Sequence, residues 1–150
     1  MNQSPSIHAS AVLVGARAVL IRGPAGSGKS RLAMALLTAA KQGLLQFARL
    51  VADDRAHVEI AHGRLLVRPA PALAGLVEIR GLGIRCLPHE PLAVVGLVAD
   101  LGQPDAERLP ESVQREAKIE GITLPRLAVA AGSDALPLVL AYLQSTGGPG

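Results

Sequence analysis

The sequence predicts an α/β domain that is rich in strands and poor in helices. Three observations carry this. A glycine-rich loop sits between a β-rich run and a breaker-free helical run. Several short apolar runs are separated by Gly, Pro and Asp at strand-like spacing. The regular strand-helix-strand alternation of an ordinary mononucleotide fold is absent.

Taken in order, Ala11 to Val14 and Ala18 to Arg22 flank Gly15-Ala16-Arg17 and read as a hairpin. Lys29 to about Gln42 is a helix closed by Gly43, with Leu, Ala and Met inside. Ala48 to Ala52 is a short buried strand ending on Asp53 and Asp54. His57 to Ala61 and Arg64 to Arg68 flank His62-Gly63, a hairpin signal. Leu76 to Ile79 is a strand opening into Arg80-Gly81-Leu82-Gly83, and Leu92 to Leu101 is the most apolar strand. Gly102 to Gln114 reads as loop or short helix, and Ile122 to Ala130 as a strand broken by Pro125. Ser133-Asp134 caps a last helix to about Leu143, with Pro137 in or near its first turn. We expect one catalytic domain over 1–144 and a fraying tail over 145–150.

Composition narrows the function classes. The 150 residues are 49% apolar and 18% charged, which suits a folded core. With one Phe, one Tyr and no Trp, that core must be built from Ala, Val, Leu and Ile. Small side chains bury less area each, and a homo-oligomer interface is one way to add burial. The net charge of +3 comes without a basic run or stacking aromatics, which argues against nucleic acid. A lone Cys86, no apolar leader and no membrane-length apolar run point to the cytoplasm and away from a membrane.

Chemistry concentrates in Gly23-Pro24-Ala25-Gly26-Ser27-Gly28-Lys29-Ser30, which fits G-x-x-x-x-G-K-[ST]. Glycines let backbone N–H groups turn inward around phosphate oxygens, and the following helix adds its positive end. Lys29 supplies a point charge for the β- and γ-phosphates of a nucleotide, and the Ser30 hydroxyl is a hard oxygen ligand suited to Mg2+; ATPases, GTPases and kinases all use such a loop. Phosphoryl transfer also needs a metal-side acid and a group that takes the nucleophile's proton. Two apolar runs end in acids, at Asp53-Asp54 and at Asp100, and either end suits the metal side. Asp53 and Asp54 point oppositely if the strand continues, so one faces nucleotide while the other bonds locally. His57, His62, His89 and Cys86 lack metal-ligand spacing and read as structural.

Several segments together resemble the catalytic domain of HPr kinase/phosphorylase. Ile7-His8-Ala9-Ser10 precedes Val19-Leu20-Ile21 and the glycine loop; Leu50-Val51-Ala52-Asp53-Asp54 is complete; Val77-Glu78-Ile79-Arg80-Gly81-Leu82-Gly83-Ile84 differs from the family in its first residue. The resemblance implies a fold of the phosphoenolpyruvate carboxykinase-like type and ATP-dependent serine phosphorylation of HPr, or of a nitrogen-branch paralogue. It makes Asp54 the base, Lys29 a phosphate ligand, Ser30 and Glu78 the Mg2+ ligands and His8 an active-site residue. It offers Arg108, in Glu107-Arg108-Leu109, as the phosphate-side arginine, and it implies a hexamer.

The chain departs from the family in three places. It starts almost at the catalytic domain; Arg85 to Pro91 is shorter than the family's glycine-rich loop; and Ala131-Gly132-Ser133-Asp134 stands where a late arginine-rich segment belongs. Phosphorylase activity is therefore expected to be weak or absent. Two other functions compete. A small-molecule kinase would want an arginine-rich lid, and a non-catalytic nucleotide-sensing module would need only the loop.

Overall fold

A computed structural model describes residues 5–106 and 111–145. The strands are β1 (Ser6–Ile7), β2 (Ala9–Val14), β3 (Arg17–Arg22), β4 (Ala48–Ala52), β5 (Ala56–Ala61), β6 (Arg64–Pro69), β7 (Leu76–Ile79), β8 (Gly83–Cys86), β9 (Ala93–Asp100), β10 (Glu116–Ile119) and β11 (Ile122–Ala128). The helices are α1 (Lys29–Lys41) and α2 (Ala135–Leu143), with single 3-10 turns at Pro71–Leu73 and Ser112–Arg115.

One sheet runs β1-β5-β6-β9-β3-β2-β4, with β11 also pairing β9 and β10 pairing β11; β7 and β8 form a separate hairpin. Strand β9 is the branch point. Its first half pairs antiparallel with β6 and its second half parallel with β11, while β3 lies parallel along its other side. Strand β2 is antiparallel to both β3 and β4. Strands β4, β3, β9 and β11 therefore all point the same way, and their carboxyl ends share one edge. In open α/β sheets that edge is where ligands bind.

The core lies on both faces of this sheet. Val12, Val19, Ile21, Leu97 and Ala99 pack under α1 and α2. Leu20, Val51 and Val98 pack on the other face against Val58, Leu65 and Val67 of the β5–β6 hairpin. Burial on both faces explains why β3 and β9 read as continuous apolar runs. The buried apolar side chains are all Ala, Val, Leu or Ile, with Phe47 and Tyr142 at the surface. Helix α1 buries Lys29, Leu32, Ala33, Leu36 and Ala39, one face at helical spacing. It ends as expected: Gly43 takes φ +82°, its N–H bonds Ala40 O, and Leu44 N–H bonds Ala39 O. His62 and Gly63 both take positive φ, the turn that fits a two-residue hairpin.

Two local expectations are corrected. Pro125 does not break β11, because it sits at the last pair with β10 and one residue before the ladder with β9 begins. Arg85 and Cys86 belong to strand β8, fully exposed and paired with Val77 and Leu76. Two further strands, β1 and β10, were not expected. The expected tail lies outside the described residues beyond Ser145.

Candidate active site

The glycine loop joins the end of β3 to the start of α1. Gly28 caps the helix at φ +102°, a conformation that favours glycine. A Cβ at Gly23 would lie 2.5 Å from Ser27 Oγ and 3.1 Å from Leu101 Cβ, so only glycine fits this passage. Ser27 Oγ is buried with no hydrogen-bond partner among the described residues, an orphan that an oxyanion or a water would satisfy. Lys29 is buried, and its Nζ donates to Gly23 O at 3.0 Å and Pro24 O at 3.3 Å. The ammonium therefore lies folded onto the loop that carries it.

The carboxyl end of β4 lies beside the loop. Asp53 is only 7% exposed. Its Oδ1 accepts from Ser30 Oγ at 2.6 Å and Ser10 Oγ at 2.9 Å, and its Oδ2 accepts from Glu78 N at 3.3 Å. One carboxylate thus ties together the glycine loop, β2 and the β7–β8 hairpin. The hairpin is held further by Leu87 N donating to Gly75 O and Glu90 N donating to Leu50 O.

The chain then turns sharply. Arg55 N–H donates to Asp53 O at 2.7 Å, around a central Asp54 at φ +65°. This is the rarer, strained kind of γ-turn, and strain of this kind gathers at functional sites. The turn is pinned from below, since Asp54 N–H donates to Ser10 Oγ and Ala9 N–H donates to Asp54 O, both at 3.1 Å. Asp54 is exposed, with no side-chain hydrogen bond to a described residue. His8 is exposed and directly precedes Ala9, so the backbone brings it beside Asp54.

A family model described as the HPr Serine kinase C-terminal domain matches residues 1–87, more than half of the sequence. The chain belongs to this family. An HPr kinase/phosphorylase of Geobacillus thermodenitrificans is 36% identical over 138 residues, covering 83% of this chain and 41% of its own length. One from Streptococcus thermophilus is 44% identical over 80 residues, covering 53% of this chain and 24% of its own. The chain thus spans less than half of the curated relatives it matches. The solved structure of the Hpr(Ser) kinase/phosphatase from Coxiella burnetii superposes with a TM-score of 0.72 at 25% identity, covering 93% of this chain and 88% of that one. The strand-rich α/β fold is that of the HPr kinase family.

Of the residues singled out in the sequence, Lys29, Ser30, Asp54, Glu78 and His8 come together around the carboxyl ends of β3 and β4. Arg108 lies outside the described residues. Arg80 is exposed and makes no ion pair among them. The residue that sequence reasoning left without a named role is Asp53. The alternation at 53–54 shows only that the two acids part company; the contacts with Ser10 and Ser30 say which one turns inward.

Asp100 is bonded by two arginines. Both its oxygens are taken, by Arg22 Nε and an Arg22 terminal nitrogen at 2.7 and 2.8 Å and by Arg126 Nε at 2.6 Å. Burial pushes this carboxyl up, but the two guanidiniums outweigh it and hold it below its ordinary value. Arg126 continues to Asp105, Gln103 Oε1 and Gln114 O, clamping the start and end of the β9–β10 connection to β11. Its own pKa is raised, first by the hydrogen bond with Asp105.

Ser30 Oγ and the Asp53 carboxylate bring two hard oxygens together at the β4 end, and the backbone N–H of Glu78 reaches Asp53 Oδ2 there. Among the described residues no group of three acids, histidines or cysteines is placed to hold a metal ion. Mg2+ commonly uses one or two carboxylates and completes its shell with phosphate and water. No described helix is long and apolar enough to cross a membrane.

Proposed function

We propose that this chain is the catalytic domain of a cytoplasmic, ATP-dependent protein-serine kinase acting on HPr or an HPr-like phosphocarrier. The domain spans 1–144. The observation that carries the reading is the division of labour at Asp53 and Asp54. Asp53 is buried against Ser30 of the glycine loop, while the γ-turn sends Asp54 outward beside it.

The chemistry follows from those positions. Backbone N–H groups of Gly23 to Ser30 cradle the phosphates, and Lys29 leaves its loop carbonyls to neutralise the β- and γ-oxygens. Ser30, Asp53 and Glu78 would hold Mg2+, which would supply neutralisation of phosphate charge. The substrate serine oxygen attacks the γ-phosphorus, the bond to the β–γ bridging oxygen breaks, and ADP leaves. The hydroxyl proton passes to the Asp54 carboxylate. His8 borders the substrate side, and Arg108 is the proposed arginine on the transferring phosphoryl.

The forward direction is favoured. Attack of inorganic phosphate on phosphoserine needs a second anion site. The stretch from Leu127 to Leu140 has no basic residue, and Arg126 before it is committed to Asp100 and Asp105. A homo-oligomer would cover Leu82 and Ile84, which are 58% and 68% exposed on the β7–β8 hairpin.

The test is incubation with ATP-Mg and HPr-like carriers, with phosphate located by mass spectrometry, and the converse with phosphoserine carrier and millimolar phosphate. Phosphoserine in the first and little pyrophosphate in the second are expected. Nucleotide binding without transfer to any carrier would leave the sensing-module reading in its place.

A further inference from the structure

Strand β2 buries one polar side chain among apolar neighbours. Ser10 is 0% exposed, in a strand otherwise made of Ala9, Ala11, Val12, Leu13 and Val14. It alternates with Ala9 and Ala11, and so shares a face with Val12, which packs under α1. Along the ladder it lies opposite Ile21 of β3, two residues before the glycine loop, and β4 runs along the other side of β2. A hydroxyl buried at such a position costs free energy unless it is bonded, and alanine would fill the core there at no polar cost.

Both capacities of that hydroxyl are used. As a donor, Ser10 Oγ gives its one proton to Asp53 Oδ1 at 2.9 Å; as an acceptor, it takes the Asp54 N–H at 3.1 Å. One oxygen thus joins the side chain of the inward acid to the backbone of the outward one. The neighbouring contacts act otherwise. Ser30 Oγ and Glu78 N hold the Asp53 carboxylate alone. The bonds from Arg55 N to Asp53 O and from Ala9 N to Asp54 O shape the turn through the backbone alone. Asp54 is exposed at φ +65°, and its carboxylate bonds no described residue. The direction of that carboxylate is therefore set by its backbone, and the Ser10 oxygen ties that backbone to the Asp53 carboxylate.

We propose that Ser10 is a positioning residue for phosphoryl transfer: its hydroxyl is the strut that holds the turn at Asp54 in register with Asp53, so that the proton acceptor stands at a fixed offset from the buried acid beside the glycine loop. The inference rests on the reading of Asp54 as the base. That offset matters to the chemical step, because the substrate serine oxygen must meet Asp54 and the γ-phosphorus in one arrangement, and a small misplacement of reacting groups is expensive. It matters little to nucleotide binding, which falls to the loop amides, Lys29 and Ser30. Without the strut, Asp53 keeps Ser30 and the Glu78 N–H, and the turn keeps its two backbone bonds. The loss is then one of aim, with the site otherwise standing.

Ser10→Ala and Asp54→Asn, alone and combined, test the strut with ATP-Mg and an HPr-like carrier. Ser10→Ala is expected to lower kcat by about tenfold or more, while the ATP KM and the Mg2+ midpoint stay within about twofold. In the Asp54→Asn background the same change is expected to lower kcat by less than about twofold, since a residue that acts through the base has nothing left to act on. Full kcat in Ser10→Ala, a loss confined to the ATP KM, or an equal loss of kcat in both backgrounds overturns the positioning role and leaves the base reading intact. Normal transfer by Asp54→Asn alone overturns the base reading and this one with it. Hydrogen exchange on the unmodified chain needs no variant. The Asp54 amide, bonded to a buried oxygen, is expected to exchange about tenfold or more slower than a free peptide amide, and exchange at the free rate overturns the strut.

Discussion

Asp53→Asn and Asp54→Asn, one atom apart in chemistry and one residue apart in sequence, should behave as opposites. Asp53 accepts from two hydroxyls and a backbone N–H in a nearly closed site. Asparagine keeps one oxygen for Ser10 and Ser30, but those bonds lose their ionic partner, at about 1 kcal/mol each. The new amide also turns a donor toward Glu78 N–H, or else swings its oxygen away from both serines. The sum is about 2–3 kcal/mol, which in a chain of this size lowers the melting temperature by roughly 4–12 °C. Magnesium dependence should weaken as well, because the carboxylate beside Ser30 is gone.

Asp54 presents the contrary case. Its side chain is exposed and bonds no described residue, and asparagine tolerates positive φ as well as aspartate does. The melting temperature should move by no more than about 2 °C. Transfer to the carrier serine should nevertheless fall by on the order of 10²-fold or more, as for loss of a general base, with nucleotide affinity retained. Differential scanning calorimetry, nucleotide titration and a phosphotransfer assay read all three quantities. If Asp54→Asn transfers phosphate normally while Asp53→Asn is stable and inactive, the two roles are exchanged.

Three further outcomes are expected. Lys29→Ala removes the ammonium beside the phosphates and should lower phosphotransfer by on the order of 10²-fold or more; unchanged turnover refutes the loop's role. Glu78→Gln replaces a charged ligand by a neutral one, so the Mg2+ midpoint of activity should rise several-fold while the melting temperature holds; an unmoved midpoint removes Glu78 from the metal site. Asp100 has a folded pKa below its unfolded one, so its stabilisation is present above about pH 3.9 and lost as pH falls through the lower folded value. Asp100→Asn should therefore be less stable at neutral pH, by on the order of 3 kcal/mol, and should show a flatter acid limb in urea melts between pH 5 and 2. An acid limb as steep as that of the unmodified chain would show that other carboxylates set it.

What the sequence disclosed and what it hid follow physical lines. The loop, α1 and β4 were legible because each carries a local signal: glycines before Lys29, a breaker-free run, an apolar stretch stopped by two acids. Strand β10 was hidden because it is four residues long, with Ala117 and Ile119 inside and Glu116 and Lys118 outside, next to a polar connection. Strand β8 has no buried face and so no alternation to read. The role of Arg126 was hidden for a different reason: its partners Asp100, Asp105 and Gln114 lie 26, 21 and 12 residues away, and only the fold brings them together. The sequence pattern offered Asp53 and Asp54 as a pair; the resemblance implied that Asp54 is the base, and the structure shows that Asp53 is the one bonded inward.

The proposed preference for the kinase direction rests on the charges at the sheet edge. Arg22 ends β3 and Arg126 lies two residues before the end of β11, where a free guanidinium would serve an anion, yet Asp100 lies between them and takes both. Removing either arginine from Asp100 to bind phosphate would leave a carboxylate that is only 6% exposed with one partner instead of two, which costs more than an exposed contact returns. Attraction for a triphosphate is then left to the backbone of residues 23–30, to Lys29 and to Arg31. On the β4 flank, the cation next to Asp54 is Arg55, which reaches Ser6 Oγ at 3.2 Å in an exposed contact that is easily given up. A second anion beside the base would therefore have to recruit Arg55, Arg80 or Arg85 from solvent, each at an entropic cost that the fixed loop amides avoid. An incoming serine hydroxyl is neutral and needs no such recruit. On the proposed reading, an edge that binds one polyanion would accept a neutral nucleophile more readily than a second phosphate.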